Sequence, residues 1–182
     1  MKKFLFVFFG LLLMSNFVYS QNSLAVNASI QDYISAAFPE SAFVDFGTID
    51  GSTTGAKTSG NATLTIISNK PHWKVTFTSG HDSTLVSGST TATAIPYKLK
   101  ASLSTASSSV WSLSKLTTSM EAYQTIPTGG LKLEVATGNG KTPVGGITFD
   151  VGAELTMPTS GELYEAGTTF TDTVTITIIS LL

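Results

Sequence analysis

The chain has 182 residues, of which 42% are hydrophobic and only 12% are charged, and its formal net charge is -2. This length leaves room for one domain with a sizeable core. Every basic residue is a lysine and the lysines are scattered, so the Lys and Arg clusters that bind phosphate backbones are absent and nucleic-acid binding is excluded. Because the chain contains no cysteine, disulfide bonds and lipid attachment through an N-terminal cysteine are excluded as well.

The N-terminal segment is typical of a secretory signal peptide. Two lysines follow Met1, residues 4–17 form an apolar centre, and small residues precede Gln21. A membrane-spanning helix is the alternative, but the apolar run is shorter than the ~20 residues that a span needs, and polar residues interrupt it. We therefore expect residues 1–20 to be removed during export and the mature chain to begin at Gln21.

Serine and threonine far outnumber the charged residues, which favours sheet over helix. Threonine is β-branched and suits the solvent face of a pleated sheet, whereas exposed helices normally carry Glu, Lys and Arg. Disorder is the alternative for such a composition, but the hydrophobic residues fall in alternating runs that can bury a core. We expect an all-β domain.

Alternation of apolar and polar residues predicts the first strands. The inward residues of the first candidate are Leu24, Val26, Ala28 and Ile30. Residues 33–38 follow as a short strand or a helical turn that Pro39 closes. Residues 43–49 predict a strand, and a loop rich in Gly, Ser and Thr continues to Asn61.

The next two runs, residues 62–67 and 73–78, predict an antiparallel hairpin. Trp73, Val75 and Phe77 alternate with polar residues in the second run, so we expect all three to point inward. The hairpin would place the two runs side by side in one sheet.

Five further segments lie between the hairpin and the C-terminal region. Residues 97–103 predict a strand with lysines on its solvent face, and Pro96 fits its start. Residues 104–109 predict a loop, and residues 110–120 leave a short helix, an irregular crossing and a strand as equal alternatives. Alternating apolar residues then predict strands at 131–135 and 147–155. About eight short strands separated by turns indicate a β-sandwich or a barrel.

The most regular run lies near the C-terminus, from Phe170 to Ile178. Its apolar face comprises Phe170, Val174, Ile176 and Ile178, and four threonines form the other face. Asp172 alone interrupts the apolar face. Since an inward carboxylate persists only when it is hydrogen-bonded or paired, we expect Asp172 at the mouth of the sandwich, held by backbone N–H groups or a Thr hydroxyl.

No catalytic arrangement is recognisable in the sequence. His72 and His81 lack metal-ligand spacing with other His, Cys or clustered carboxylates, so we interpret both as turn residues. Glu154, Glu162 and Glu165 lie near one another in the chain, but glycosidase chemistry needs two carboxylates that converge in a cleft. The sequence therefore predicts a protein that is not an enzyme and that carries no catalytic residue, no cofactor and no metal ion.

The aromatic residues allow a second hypothesis. Most of them fall in register with apolar strand positions and predict core packing. Trp111 and Tyr123 lie outside the clear strands, so they are the candidates for an exposed aromatic site that binds a carbohydrate.

Three motifs resemble a known family. They are Val44–Gly47 (VDFG), Ile95–Leu99 (IPYKL) and Ala166–Ile178 (AGTTFTDTVTITI), and together they resemble the secreted pilin domain of the spore coat protein U type. That family includes subunits of archaic chaperone–usher pili. Its members commonly carry cysteines that join the early strands, and this chain has none.

The resemblance implies an immunoglobulin-like β-sandwich that lacks one strand. A strand from a periplasmic chaperone, and then the N-terminal segment of the next subunit, would complete it at an outer-membrane usher. Residues 21–31 would be the donor strand, with Leu24, Val26, Ala28 and Ile30 as its inward residues. Residues 32–182 would form the pilin-like domain. Its acceptor groove would contain Phe170, Val174, Ile176 and Ile178.

The sequence thus predicts a structural subunit of a fimbria-like polymer at the cell surface, whose partners are neighbouring copies of the chain. The alternative is a monomeric exported β-sandwich that completes its own sheet and binds a carbohydrate or another surface ligand.

Overall fold

The computed structural model describes residues 28–39, 44–49, 55–87, 94–157 and 169–181. Asp32–Leu182 forms one compact unit. Of the predicted donor residues, Leu24 and Val26 lie outside the described residues.

The described residues form twelve strands, one short helix and one 3-10 turn. The strands are β1 Ile34–Ala37, β2 Ala56–Thr58, β3 Ala62–Ser68, β4 Trp73–Ser79, β5 Thr84–Ser87, β6 Ile95–Leu103, β7 Leu116–Thr118, β8 Met120–Gln124, β9 Leu131–Val135, β10 Ile147–Thr156, β11 Phe170–Thr171 and β12 Val174–Ser180. The helix, α1, spans Thr105–Ser108, and the 3-10 turn spans Leu113–Lys115.

The strands form two antiparallel sheets. The first has the order β1-β3-β10-β6-β5-β11, with β2 also paired to β10 and β8 also paired to β6. The second has the order β12-β4-β9-β7. The prediction of an all-β fold is therefore confirmed, and of the two predicted architectures, sandwich and barrel, the structure shows the sandwich.

One hydrophobic core joins the inner faces of the two sheets. Leu64 and Ile66 of β3 and Phe149 of β10 come from the first sheet, and Phe77 of β4 and Leu133 of β9 come from the second. All five side chains are fully buried. Because successive strand residues point to opposite faces, the period-2 runs of the sequence become these two buried faces.

The predicted hairpin of residues 62–67 and 73–78 is wrong. β3 pairs with β1 and β10, whereas β4 pairs with β12 and β9, so the two strands belong to opposite sheets. The connection from Ser68 to Trp73 is a corner between the sheets. Trp73, Val75 and Phe77 nevertheless point inward and are fully buried, as predicted, because the alternation fixes the face of a strand but not its neighbour.

Several local predictions also need correction. Residues 44–49 contain no strand, although Val44 and Phe46 pack against the core. The expected loop before Asn61 contains β2, and the expected loop at 104–109 contains α1. The ambiguous segment 110–120 contains the 3-10 turn, β7 and the first residue of β8. Residues 33–38 contain β1, which supports the short-strand alternative.

A close approach of two loops explains the glycine at position 140. The Trp73 Nε1 donates a hydrogen bond to the Gly140 carbonyl oxygen at 2.6 Å, and the Gly140 amide donates to the Pro71 carbonyl oxygen at 2.8 Å. A Cβ on Gly140 would lie 2.5 Å from the carbonyl oxygen of Lys70. A side chain at this position therefore forces the corner and the loop apart.

We expect Gly140→Ala to lower the free energy of unfolding by about 1–3 kcal/mol, the cost of inserting a group into a filled space. The matched control is Gly145→Ala, because a Cβ there meets no atom within 4 Å. It should change stability by less than about 1 kcal/mol. Urea unfolding of the two variants measures both effects, and an equal loss in the two would contradict the role of close approach.

Candidate functional site: the free edge of the C-terminal strand

β12 lies at the edge of the second sheet. Among the described residues its ladder partner is β4 alone, with Val174 opposite Ser79 and Ile178 opposite Val75. An edge strand presents a row of unpaired backbone N–H and C=O groups, to which another strand can add.

Two hydrogen bonds at the ends of this ladder determine which backbone groups face the open edge. The Gly80 amide donates to the Thr173 carbonyl oxygen at 2.9 Å, and the Leu181 amide donates to the His72 carbonyl oxygen at 3.0 Å. Odd-numbered residues of β12 therefore bond to β4. Since bonded and non-bonded pairs alternate in an antiparallel ladder, the N–H and C=O groups of Val174, Ile176 and Ile178 point away from β4.

The side chains of the same three residues point inward but are only half-buried. Val174, Ile176 and Ile178 pack against the core, while Val75 and Phe77 on the neighbouring strand are fully buried. The predicted alternation of faces is confirmed in β12. A strand placed beyond β12 would cover the apolar surface that these side chains leave exposed.

β1, the edge strand of the first sheet, lies next to β12. Ile34 and Ala36 of β1 are also half-buried against the core. We call the strip of Ile34, Ala36, Val174, Ile176 and Ile178 the edge seam. It joins apolar side chains to backbone groups of β12 that have no ladder partner among the described strands. This is the combination that strand addition needs.

The remaining predicted site residues lie elsewhere. Phe170 is in β11, which pairs with β5, so it is not part of the edge strand. Its side chain is half-buried against the core. Ala28 and Ile30 are exposed and outside any helix or strand, and Ile30 is 88% exposed. The structure thus brings together three of the four acceptor candidates and separates Phe170 from them.

Asp172 is the centre of a hydrogen-bond cluster just before β12. Its side chain is only 1% exposed. The Ser79 hydroxyl and the Tyr97 hydroxyl each donate to its Oδ2 at 2.5 Å. The Oδ1 accepts from the Thr173 amide at 2.7 Å and lies 3.0 Å from the His81 Nδ1. The expectation of a hydrogen-bonded carboxylate is confirmed, with Ser79 in place of a threonine as the hydroxyl donor.

This cluster joins the two sheets at the start of the edge strand. Ser79 ends β4 in the second sheet, and Tyr97 lies in β6 in the first. Burial alone raises the pKa of Asp172, but the hydrogen bonds from Ser79, Tyr97, His81 and the Thr173 amide together hold that pKa below its usual value. Burial and then the hydrogen bond to Asp172 raise the pKa of Tyr97, so its hydroxyl stays protonated and donates.

The turn beside the cluster has an unusual backbone. Asp82 and Ser83 have φ angles of 50° and 62°, a left-handed conformation that non-glycine residues seldom adopt. The buried Ser83 hydroxyl donates to the Ile126 carbonyl oxygen at 3.1 Å and accepts from the Ile126 amide at 2.7 Å. The Ser83 carbonyl oxygen accepts from the Tyr97 amide at 2.9 Å. These contacts hold the turn and position His81 next to Asp172.

Sequence reasoning missed this cluster. The sequence analysis interpreted His81 as a turn residue, whereas the structure brings it next to Asp172, 91 positions away in the sequence. His81 is half-exposed, so it is the accessible member of the cluster. No local pattern connects these positions.

The prediction that Trp111 belongs to an exposed aromatic site is wrong, because its side chain is buried within the core. Tyr123 is half-buried, and the Lys100 Nζ lies 4.7 Å from its ring centroid.

Glu154 forms an ion pair with Lys98 at 3.7 Å, while Glu162 and Glu165 lie outside the described residues.

The described ranges contain no group of three His, Cys, Asp or Glu side chains that could hold a metal ion. No helix within them is long and apolar enough to cross a bilayer.

Comparison with known proteins adds no assignment. No protein-family model matches the chain, and no curated protein matches it in sequence.

We expect Asp172→Asn to lower the free energy of unfolding by about 2 kcal/mol at neutral pH, because the amide cannot accept from all the donors that face the carboxylate. The loss should shrink on acidification. Since folding lowers the pKa of Asp172 from 3.8, the carboxylate stabilises the fold above that unfolded value, and this contribution disappears as the pH falls through the folded pKa. Urea unfolding at several pH values between about 2 and 7 measures the difference between variant and parent.

The control for this substitution is Asp82→Asn, because Asp82 is exposed and asparagine accepts its left-handed backbone. Its stability should stay within about 0.5 kcal/mol of the parent. A difference between Asp172→Asn and the parent that is constant over the whole pH range would contradict the ionised, hydrogen-bonded state of Asp172.

Proposed function

We propose that the protein is an exported structural subunit of a fimbria-like polymer, assembled by addition of a strand from one subunit to the edge of the next. The observation that carries the proposal is β12. Among the described strands it pairs with β4 alone, and its inward residues Val174, Ile176 and Ile178 are half-buried beside a fully buried core.

The strand order supports an immunoglobulin-like sandwich that lacks one strand. An immunoglobulin domain has strands A, B, E and D in one sheet and C, F and G in the other. Here β1-β3-β10-β6 corresponds to A-B-E-D, and β4 and β12 correspond to C and F. None of the described strands lies where G would pair with F, which is the free side of β12. The proposed correspondence would therefore place the missing strand G at the edge seam.

The N-terminal segment has the features of the added strand. Its inward residues would be Leu24, Val26, Ala28 and Ile30. Extended at about 3.3 Å per residue, residues 21–31 can run the whole length of β12. The exposure of Ala28 and Ile30 supports a segment that is available to another subunit.

Assembly by this route needs partner proteins. The resemblance to spore coat protein U type pilins implies which partners these are. A periplasmic chaperone would cover the edge seam until an outer-membrane usher brings the next subunit. The exposed apolar strip explains the need for such a partner, because a free edge with apolar side chains is prone to uncontrolled pairing. The polymer would then lie at the cell surface.

The first test is removal of residues 21–31 from the mature chain. We expect the truncated protein to lose polymer formation and to bind a synthetic peptide of residues 21–31, which should raise its thermal unfolding temperature. Size-exclusion chromatography and thermal melts measure the two effects. Polymerisation of the truncated protein at the parent's rate would contradict the donor role. A full-length monomer whose own segment pairs with β12 would favour the self-completed, ligand-binding alternative.

The second test concerns register. Val26→Asp would bury an unpaired carboxylate in the edge seam, at a cost of several kcal/mol, and should block assembly. Asn27→Asp introduces the same charge one position along, on the outward face, and should assemble as the parent does. Both variants are compared by light scattering at equal concentration, and equal assembly of the two would show that the segment does not enter a one-sided groove.

A further inference from the structure

The sequence contains a single Asn–Gly pair, Asn139–Gly140, which lies in the loop between β9 and β10. Asn139 is exposed to solvent, whereas Gly140 is buried. A backbone nitrogen can attack the side-chain amide of the asparagine that precedes it, and glycine favours this attack because it has no Cβ to restrict the peptide group. The chain therefore carries an intrinsically reactive pair of residues, and the fold encloses the second of them.

The reaction needs only the chain itself and water. The Gly140 nitrogen forms a bond to the Asn139 Cγ and loses its proton, and the side-chain nitrogen leaves as ammonia. Water then opens the cyclic imide at either of its carbonyl groups. One opening converts Asn139 into aspartate. The other converts it into isoaspartate, in which the main chain runs through the former side chain and is longer by a methylene group.

The fold occupies the attacking nitrogen. The Gly140 amide donates its proton to the Pro71 carbonyl oxygen at 2.8 Å, so the attack on Asn139 requires that this hydrogen bond be broken. The Gly140 carbonyl oxygen accepts from the Trp73 Nε1 at 2.6 Å. The space around Gly140 is also filled, because a Cβ there would lie 2.5 Å from the Lys70 carbonyl oxygen. Gly140 is therefore held by both of its polar groups while the corner from Ser68 to Trp73 stays closed.

The surroundings of the pair are themselves fixed. Trp73 is fully buried and stacks on Trp111 with ring centroids 6.5 Å apart. The Asn139 amide donates to the Ala136 carbonyl oxygen at 3.0 Å, which closes the turn before Gly140. An attack that needs a particular alignment of the reacting atoms is slow when their surroundings resist it. The folded state should therefore suppress the reaction, and local opening of the corner should permit it.

The same corner supports the end of the edge strand. The carbonyl oxygen of His72, which lies between Pro71 and Trp73, accepts from the Leu181 amide at 3.0 Å. Isoaspartate formation lengthens the main chain next to Gly140, where the neighbouring loop leaves no room. The hydrogen bonds of Gly140 to Pro71 and Trp73 would be lost. The buried Trp73 Nε1 would then have no acceptor, which is unfavourable.

We propose that Asn139 is a self-modification site which the corner protects, and that isoaspartate formation there loosens the corner and the adjoining end of β12. Trp73 is the positioning residue, because its Nε1 holds Gly140 in place. The modification adds a carboxylate as well as length to the main chain, and the two effects can be separated. This inference rests on the corner and does not depend on the proposed assembly.

The first experiment compares the mature full-length chain at mildly alkaline pH in its folded state and unfolded in guanidinium chloride. Trypsin releases residues 133–141 as one peptide, whose asparagine, aspartate and isoaspartate forms are separated by liquid chromatography and identified by mass spectrometry. We expect the folded chain to react at least about tenfold more slowly. A synthetic peptide of residues 133–141 in both solvents corrects for the effect of the denaturant. Equal rates in the folded and the unfolded chain would overturn the protection.

Two tryptophan substitutions test the positioning role. Trp73→Phe keeps an aromatic ring but removes the donor to Gly140, so the folded variant should react several-fold faster than the folded parent. Trp111→Phe is the matched control, because the Trp111 Nε1 has no acceptor among the described residues. Near-ultraviolet circular dichroism checks that each variant is folded. Equal rates in the two folded variants would contradict the role of Trp73, and if Trp73→Phe fails to fold, the comparison of folded and unfolded parent decides.

The last experiment measures the consequence for the fold. The isoaspartate form is produced in guanidinium chloride, refolded, purified and compared with Asn139→Asp, which carries the same charge on an unchanged main chain. We expect the isoaspartate form to unfold at a lower urea concentration than the parent and to exchange the Leu181 amide hydrogen faster, while Asn139→Asp behaves as the parent does. An isoaspartate form as stable as the parent would overturn the proposed loosening, as would an equal loss in Asn139→Asp.

Discussion

The backbone hydrogen bonds of β12 are the constraint on which the rest of this structure depends. One side of the strand is bonded to β4, from the Gly80–Thr173 contact at one end to the Leu181–His72 contact at the other. The other side has no ladder partner among the described strands. Because the residues with free backbone groups also carry the inward apolar side chains, one added strand would complete both the hydrogen bonds and the core.

The Asp172 cluster determines where this edge begins. Its carboxylate receives hydrogen bonds from both sheets and from the first peptide after it, so β12 starts at a fixed position relative to the core. A buried carboxylate without those donors would be strongly unfavourable. The same residue that breaks the apolar face of the sequence therefore fixes the register of the edge strand, and it separates β12 from β11, which belongs to the other sheet.

The two tryptophans connect the core to the surface on a different part of the sandwich. Trp73 is satisfied by the Gly140 carbonyl oxygen, which requires the close approach of two loops. Trp111 stacks on Trp73 within the core, and its Nε1 has no acceptor among the described residues.

The sequence by itself determined which residues of each strand face the core. Trp73, Val75 and Phe77 could be predicted because strand side chains alternate as a local property of the backbone. The inward face of β12 followed from the same rule. Strand partners could not be predicted in this way: a connection as short as the one from Ser68 to Trp73 serves a hairpin or a corner equally well, and only the packing of Leu64 and Phe77 from opposite sheets decides. The Asp172–His81 pair and the burial of Trp111 likewise depend on contacts between segments far apart in sequence, which only the tertiary structure brings together.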